Sequence, residues 1–188
     1  MNKLLAYIAA FLLTTTSICA QYTQQITNVR AQARIYADAA IRKDYKTVMK
    51  YIIIDALPKA RLNVMTEARV VHTLQTADAQ RAQQGIQVKS IKFGDVLSIV
   101  KVNYEFQCTL EQITETKMQF GTIISTSTLL SVSPDNGVSW KYADATGRTF
   151  EDMHKLMPRL SPQLIFAKVQ PPKFIKEANT EKKGSKVK

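Results

Sequence analysis

Cysteine, glycine, proline, tryptophan and histidine are all scarce here: two, six, six, one and two residues among 188. So few glycines exclude a collagen-like or glycine-rich architecture. Two histidines, with the cysteines at no ligand spacing, match no common zinc arrangement, and neither a metal nor a cofactor is expected. No phosphate-cradling glycine loop and no nucleophile elbow occurs. No repeat of solenoid length occurs either, which excludes a stacked array. Acidic residues are also few, 15 against 26 lysines and arginines, for a net charge of +11. Composition otherwise is that of a folded domain, 45% apolar and 22% charged.

The only long apolar run is Leu4–Leu13, and its ten residues are half of what a membrane span needs, about 20. Lys3 precedes it, and a small, polar stretch ending Ser17-Ile18-Cys19-Ala20 follows. Positive start, apolar centre and small-residue end are the order of a secretory signal, so residues 1–20 read as a leader cleaved after Ala20. The expected location is therefore periplasmic or secreted, with no transmembrane span in the mature form. A lipoprotein anchored at Cys19 is the alternative, but the branched Ile18 stands where that processing prefers a small residue. Cleavage after Ala20 leaves Cys108 as the one mature cysteine, so no internal disulfide is expected and the fold rests on its core.

Charge collects at the end. Residues 168–188 carry seven lysines against Glu177 and Glu181, together with Pro171, Pro172 and Gly184. Such a stretch has little apolar surface to offset its ordering entropy, so a basic, disordered tail follows a single domain over 21–167. Basic tails can touch phosphates or anionic lipid headgroups. Only Phe174 could stack on a base, and nucleic acid is not expected as a partner of an exported chain.

Ile26, Val29, Ala33, Tyr36, Ala37 and Ala40 recur at helical spacing and predict a helix over 23–42. Asp44 is placed to cap a short helix through Tyr45, Val48, Met49 and Tyr51. After Pro58 a third helix is expected over 59–84, ending at Gly85. Beyond it the period changes to two. Val100, Val102, Tyr104, Phe106, Cys108 and Leu110 alternate with Lys101, Asn103, Glu105, Gln107, Thr109 and Glu111, predicting one antiparallel strand with a buried and a wet face. Residues 114–132 continue the pattern, with Gly121 as a bend in mid-strand. Thr149 and Asp152 form a capping-box pattern before a short helix over 151–157, stopped by Pro158. Leu164, Ile165 and Phe166 add a brief strand.

Between 133 and 140 stands Ser133-Pro134-Asp135-Asn136-Gly137-Val138-Ser139-Trp140, which resembles the Asp-box hairpin motif. Asp135 can accept main-chain N–H bonds, Gly137 can take positive φ, and Trp140 can pack beneath. Sialidases carry several copies of this motif away from their catalytic centre. One copy in a chain too short for a propeller implies a turn and no glycosidase activity.

Helices followed by long antiparallel strands make an α+β plan, with N-terminal helices packed against a curved sheet. With Tyr36-Ala37-Asp38-Ala39-Ala40-Ile41-Arg42-Lys43-Asp44-Tyr45-Lys46-Thr47, the Asp-box hairpin, Tyr142-Ala143-Asp144-Ala145-Thr146-Gly147 and Leu156-Met157-Pro158-Arg159-Leu160-Ser161-Pro162, the chain resembles the nuclear transport factor 2-like (cystatin-like) superfamily over 21–168. More specifically it resembles the small exported proteins of Bacteroidetes-type bacteria with that fold. The resemblance implies a cone-shaped fold, in a superfamily divided between enzymes and binding proteins.

Acid–base chemistry in such a cone needs a titratable group facing its interior. His72, on the third helix, and Tyr104 are the candidate couple for an isomerase-, dehydratase- or cyclase-like enzyme. Tyr36, Tyr104, Phe106, Phe120 and Trp140 are the candidate lining for a small apolar ligand. Cys108 reads as a buried small hydrophobe. The leading expectation is a non-enzymatic domain that binds a small ligand or an envelope protein; the alternatives are the cone enzyme and a protein docked on anionic lipid through its tail.

Overall fold

The computed structural model describes residues 2–56 and 66–176, with side chains from Tyr22 onward except Asp55. The chain is α+β. Helices α1 (Asn2–Arg42), α2 (Tyr45–Tyr51) and α3 (Glu67–Gln83) precede the strands, with one 3-10 turn at Ile54–Ala56. Strands β1 (Gln87–Val102), β2 (Glu105–Met118), β3 (Gly121–Ser133) and β4 (Lys141–Asp144) form an antiparallel sheet in that order, so β1 and β4 stay apart and no barrel closes. Helix α4 (Phe150–Leu156) follows, and β5 (Lys173–Lys176) returns to pair with β3. Pro58 and the first residues of the expected third helix lie outside the described residues.

The helix boundaries have local causes. After α1, Lys43 takes φ 60° and the Asp44 amide donates to the Ala39 carbonyl at 2.9 Å. Asp44 then caps α2 by accepting from the Thr47 amide at 3.1 Å. Thr149 and Asp152 close a reciprocal capping box on α4.

Two expected strands are divided. The stretch read as continuous from Val100 to Leu110 turns at Asn103-Tyr104, where Asn103 takes φ 57°, and Val102 pairs with Glu105. The stretch over 114–132 begins in β2, turns at Gln119-Phe120, and pairs Met118 with Gly121. Two-residue turns fold each alternating run back on itself, so paired residues on one face have opposite parity. Val100 therefore sits opposite Gln107, on the other face from Phe106 and Cys108.

Both faces are covered around the paired ends of β2, β3 and β4. On one, α1 lays Val29 and Ala33 against Phe106, Cys108, Leu110, Leu129, Trp140 and Tyr142. On the other, Leu130, Val132 and Ala143 meet Met153, Met157 and Leu160 from α4 and the segment after it. The face of β2 expected to be wet is thus buried, with Gln107 and Thr109 both at 0% exposure. They are buried because the C-terminal segment uses them in place of a strand partner. Gln107 accepts from the Ser161 amide at 2.8 Å and donates to the Arg159 carbonyl at 3.1 Å. The Thr109 hydroxyl donates to the Ile165 carbonyl at 2.7 Å, and the Ser98 hydroxyl accepts from the Ile165 amide at 2.9 Å. Residues 164–166 consequently cross the sheet without forming the brief strand expected there.

The second edge of β3 is shared. Leu129–Val132 pair with β4, while Gly121–Ile124 pair with β5. A Cβ at Gly121 would collide with the Ile175 carbonyl oxygen and the Phe174 ring, so glycine is what lets β5 approach. Part of the segment read as a disordered tail, Lys173–Lys176, is therefore a strand; residues 177–188 lie outside the described residues.

Candidate functional site

The aromatic residues expected to line one cavity are dispersed. Phe106 and Trp140 are each 1% exposed and lie in the core under α1. Tyr36 stacks on Tyr142 at 5.4 Å between ring centroids, and Tyr22 meets Phe106 edge-on at 6.0 Å. Tyr104 and Phe120 sit instead at the tips of the β1–β2 and β2–β3 hairpins, 85% and 72% exposed. Their apparent alternation with Phe106 and Met118 is the product of the two turns. No shared apolar pocket is built from the five.

The acid–base couple is not assembled either. His72 is exposed on α3, and Tyr104 stands in solvent at a hairpin tip. Groups that are buried are poorly disposed to move protons near neutrality. Burial, followed by the nearby Asp144 charge, pushes the Tyr36 phenol up to about 12. Burial likewise pushes the Cys108 thiol up to about 12, only partly offset by Arg30, which fits the small hydrophobe expected from the sequence. Tyr142, whose hydroxyl donates to the Val29 carbonyl at 2.8 Å, is raised by burial as well.

The Asp-box turn is bonded within itself and gripped from outside. Asp135 accepts from the Ser139 amide at 2.8 Å and the Ser139 hydroxyl at 2.6 Å, while the Ser133 hydroxyl accepts from the Gly137 amide at 2.8 Å. Asn136 and Gly137 take φ 61° and 89°. The Trp140 indole donates to the Gly137 carbonyl at 3.2 Å. Helix α1 adds Asn28, donating to that same carbonyl at 2.9 Å, and Gln32, which bonds Val138 and Trp140. Asp135, Ser133 and Ser139 are thus bonded within the turn, while the Gly137 and Val138 carbonyls and the Trp140 amide hold it on α1, a structural role.

Clefts form where elements meet. One of about 360 Å³ opens between the C-terminal ends of α1 and α3 and the beginning of β1. Lys43, Arg81 and Lys89 are its cations and Asp78 its one carboxylate; Ile86 and Val88 are among its apolar lining. Asp78 is already engaged, accepting from the Tyr45 hydroxyl at 2.7 Å and pairing with Arg81. That bond, after burial, helps to push the Tyr45 phenol up to about 12. Residues 85–89 line the cleft consecutively, so main chain as well as side chains form its wall. A second cleft, about 300 Å³, lies by Glu105, Pro134, Lys141 and Arg159, and a third, about 200 Å³, opens between β4 and β5 along the edge of β3. None of these three contains Tyr36, His72, Tyr104, Phe106, Phe120 or Trp140. Lys43, Arg81 and Lys89 escape a reading of the sequence because helix and strand must converge before they become neighbours.

Among the described residues no helix is long and apolar enough to cross a membrane. No protein family, no curated protein and no solved structure matches the chain.

Proposed function

We propose that this chain is an exported, non-enzymatic interaction domain that binds a protein partner on its surface. The observation that carries this reading is the filling of the space between α1 and the sheet: Phe106, Trp140 and Tyr142 occupy it at 1% exposure or less. Large aromatic residues placed outside, at two hairpin tips, are of the kind that anchor interfaces. Export rests on the order of charge, apolar run and small residues in 1–20, and the helices-then-sheet order supports kinship with the nuclear transport factor 2-like proteins.

Native mass spectrometry of the protein purified from its host's envelope tests this reading. A mass that includes a second polypeptide, with photo-crosslinks from probes at Tyr104 or Phe120, is expected. A small molecule retained at one copy per chain, with no polypeptide bound, overturns it. The same spectrum reports the mass of the mature form, and so cleavage after Ala20 or lipidation at Cys19.

One further observation favours contact with anionic lipid as a second reading. Phe174 and Ile175, 53% and 44% exposed, lie in β5 between Lys173 and Lys176. Exposed apolar side chains flanked by lysines suit a headgroup layer, and four more lysines follow over 182–188. Sedimentation with phosphatidylglycerol vesicles but not phosphatidylcholine vesicles is the expected result, lost in Phe174→Ala with Lys173→Glu.

A further inference from the structure

We infer that the cleft between α3 and β1 is the partner-binding site, and that it takes an extended, acidic peptide segment as an added strand. This rests on the interaction reading above. Among the described residues β1 is the terminal strand of its sheet: β2 lies on one side and no strand on the other. The first residues of such a strand offer main-chain donors and acceptors along its open edge, the requirement for strand addition. Here the edge forms a wall of the cleft, since residues 85–89 contribute without interruption.

Why β1 begins beside an open cleft is clear from the turn before it. Gly85 takes φ 70°, and the Ile86 amide closes back on the Arg81 carbonyl at 2.8 Å. That cap ends α3 and starts the strand directly, with Asp78, Arg81 and Ala82 of α3 lining the same cleft. The register then shifts between Val88 and Ser90. Such a bulge interrupts a regular edge, so addition is confined to the short stretch facing the cleft.

Charge selects the occupant. Lys43 and Lys89 are exposed, and neither is matched by a carboxylate of the cleft, because Asp78 is held by Tyr45 and Arg81. An acidic side chain placed between them completes the field. Ile86 and Val88 offer apolar contacts to its alternate residues. The chain's own terminal segment is a poor occupant, being lysine-rich like the cleft.

The test is selection of random twelve-residue peptides displayed on phage against the host-produced protein, followed by titration of a selected peptide into the ¹⁵N-labelled protein. Enrichment of acidic sequences with alternating β-branched residues is expected, with amide shifts concentrated at residues 40–43 and 85–89. Reversing both charges, Lys43→Glu with Lys89→Glu, should weaken binding by about tenfold or more, as for two lost charged contacts. Both lysines are exposed, and the variant should unfold like the parent. Shifts of the same amides with inorganic phosphate at equal affinity would mark a small-anion site and overturn the peptide proposal. Enrichment of no peptide, or of peptides indifferent to the double reversal, also overturns it. If a polypeptide still co-purifies with the double variant from the envelope, this site falls while the interaction reading stands.

Discussion

Gln32 bonds the main chain on both sides of Ser139: its Nε2 donates to the Val138 carbonyl at 2.8 Å, and its Oε1 accepts from the Trp140 amide at 3.0 Å. One amide side chain thus behaves as a strand residue would, joining α1 to the hairpin that buries the tryptophan. Gln32→Ala leaves both main-chain groups without that partner and should cost about 1–3 kcal/mol. Gln32→Glu keeps the acceptor but loses the donor and should fall between the two. Urea denaturation of the three proteins checks the order. Equal midpoints would mean that water replaces the side chain at no loss.

Gln107 holds the opposite cover in place. It is fully buried, donates to Glu105 and to the Arg159 carbonyl, and accepts from the Ser161 amide. Gln107→Leu keeps much of the volume but leaves buried main-chain groups unsatisfied, for an expected loss of about 2 kcal/mol. Hydrogen exchange localises the effect. The Ser161 amide should lose protection well before the amides paired between β2 and β3, and uniform loss would make the change global.

Carboxylates in a turn and a helix cap tie stability to acid. Burial alone would push the Asp135 carboxyl up, but bonds from the Ser139 hydroxyl and amide and from Ser133 outweigh it and hold the group below its ordinary value. The Thr149 amide, with its hydroxyl second, does the same for Asp152. A depressed folded-state pKa contributes stability above the unfolded value, about 3.9, which is lost as pH falls through the folded value. Tm should therefore drop below about pH 4. Asp135→Asn should lower Tm at neutral pH and flatten the acid limb. A variant limb as steep as the parent's would assign the loss to other groups.

What could be read in the sequence was what short-range chemistry decides. Asp44 and Thr149 marked helix starts, Gly85 marked the end of α3, and the eight residues from Ser133 to Trp140 marked a hairpin. The α+β class followed from the change of period after Gly85. The two long hairpins were hidden because Asn103-Tyr104 contains neither glycine nor proline, and because Gln119-Phe120 continues the alternation into Gly121. A two-residue turn preserves period while exchanging faces. The burial of Gln107 depends on a segment 54 residues away, which local polarity cannot report. The cleft cations share that character, since Lys43 and Lys89 are neighbours only in the folded chain.

The sharpest division lies among the aromatic residues themselves. Phe106 and Trp140 are in the core, so Phe106→Ala or Trp140→Ala should cost about 3–5 kcal/mol through lost burial and the cavity left behind. Tyr104 and Phe120 stand at hairpin tips, so Tyr104→Ala or Phe120→Ala should stay within about 0.5 kcal/mol of the parent. Denaturation separates the pairs without reference to any ligand. A large loss in Tyr104→Ala would mean that the tyrosine is packed in the native protein, and the β1–β2 hairpin would then have to close on something. With stability unchanged, any drop in partner crosslinking by Tyr104→Ala or Phe120→Ala reports an interface directly, because no loss of fold can account for it.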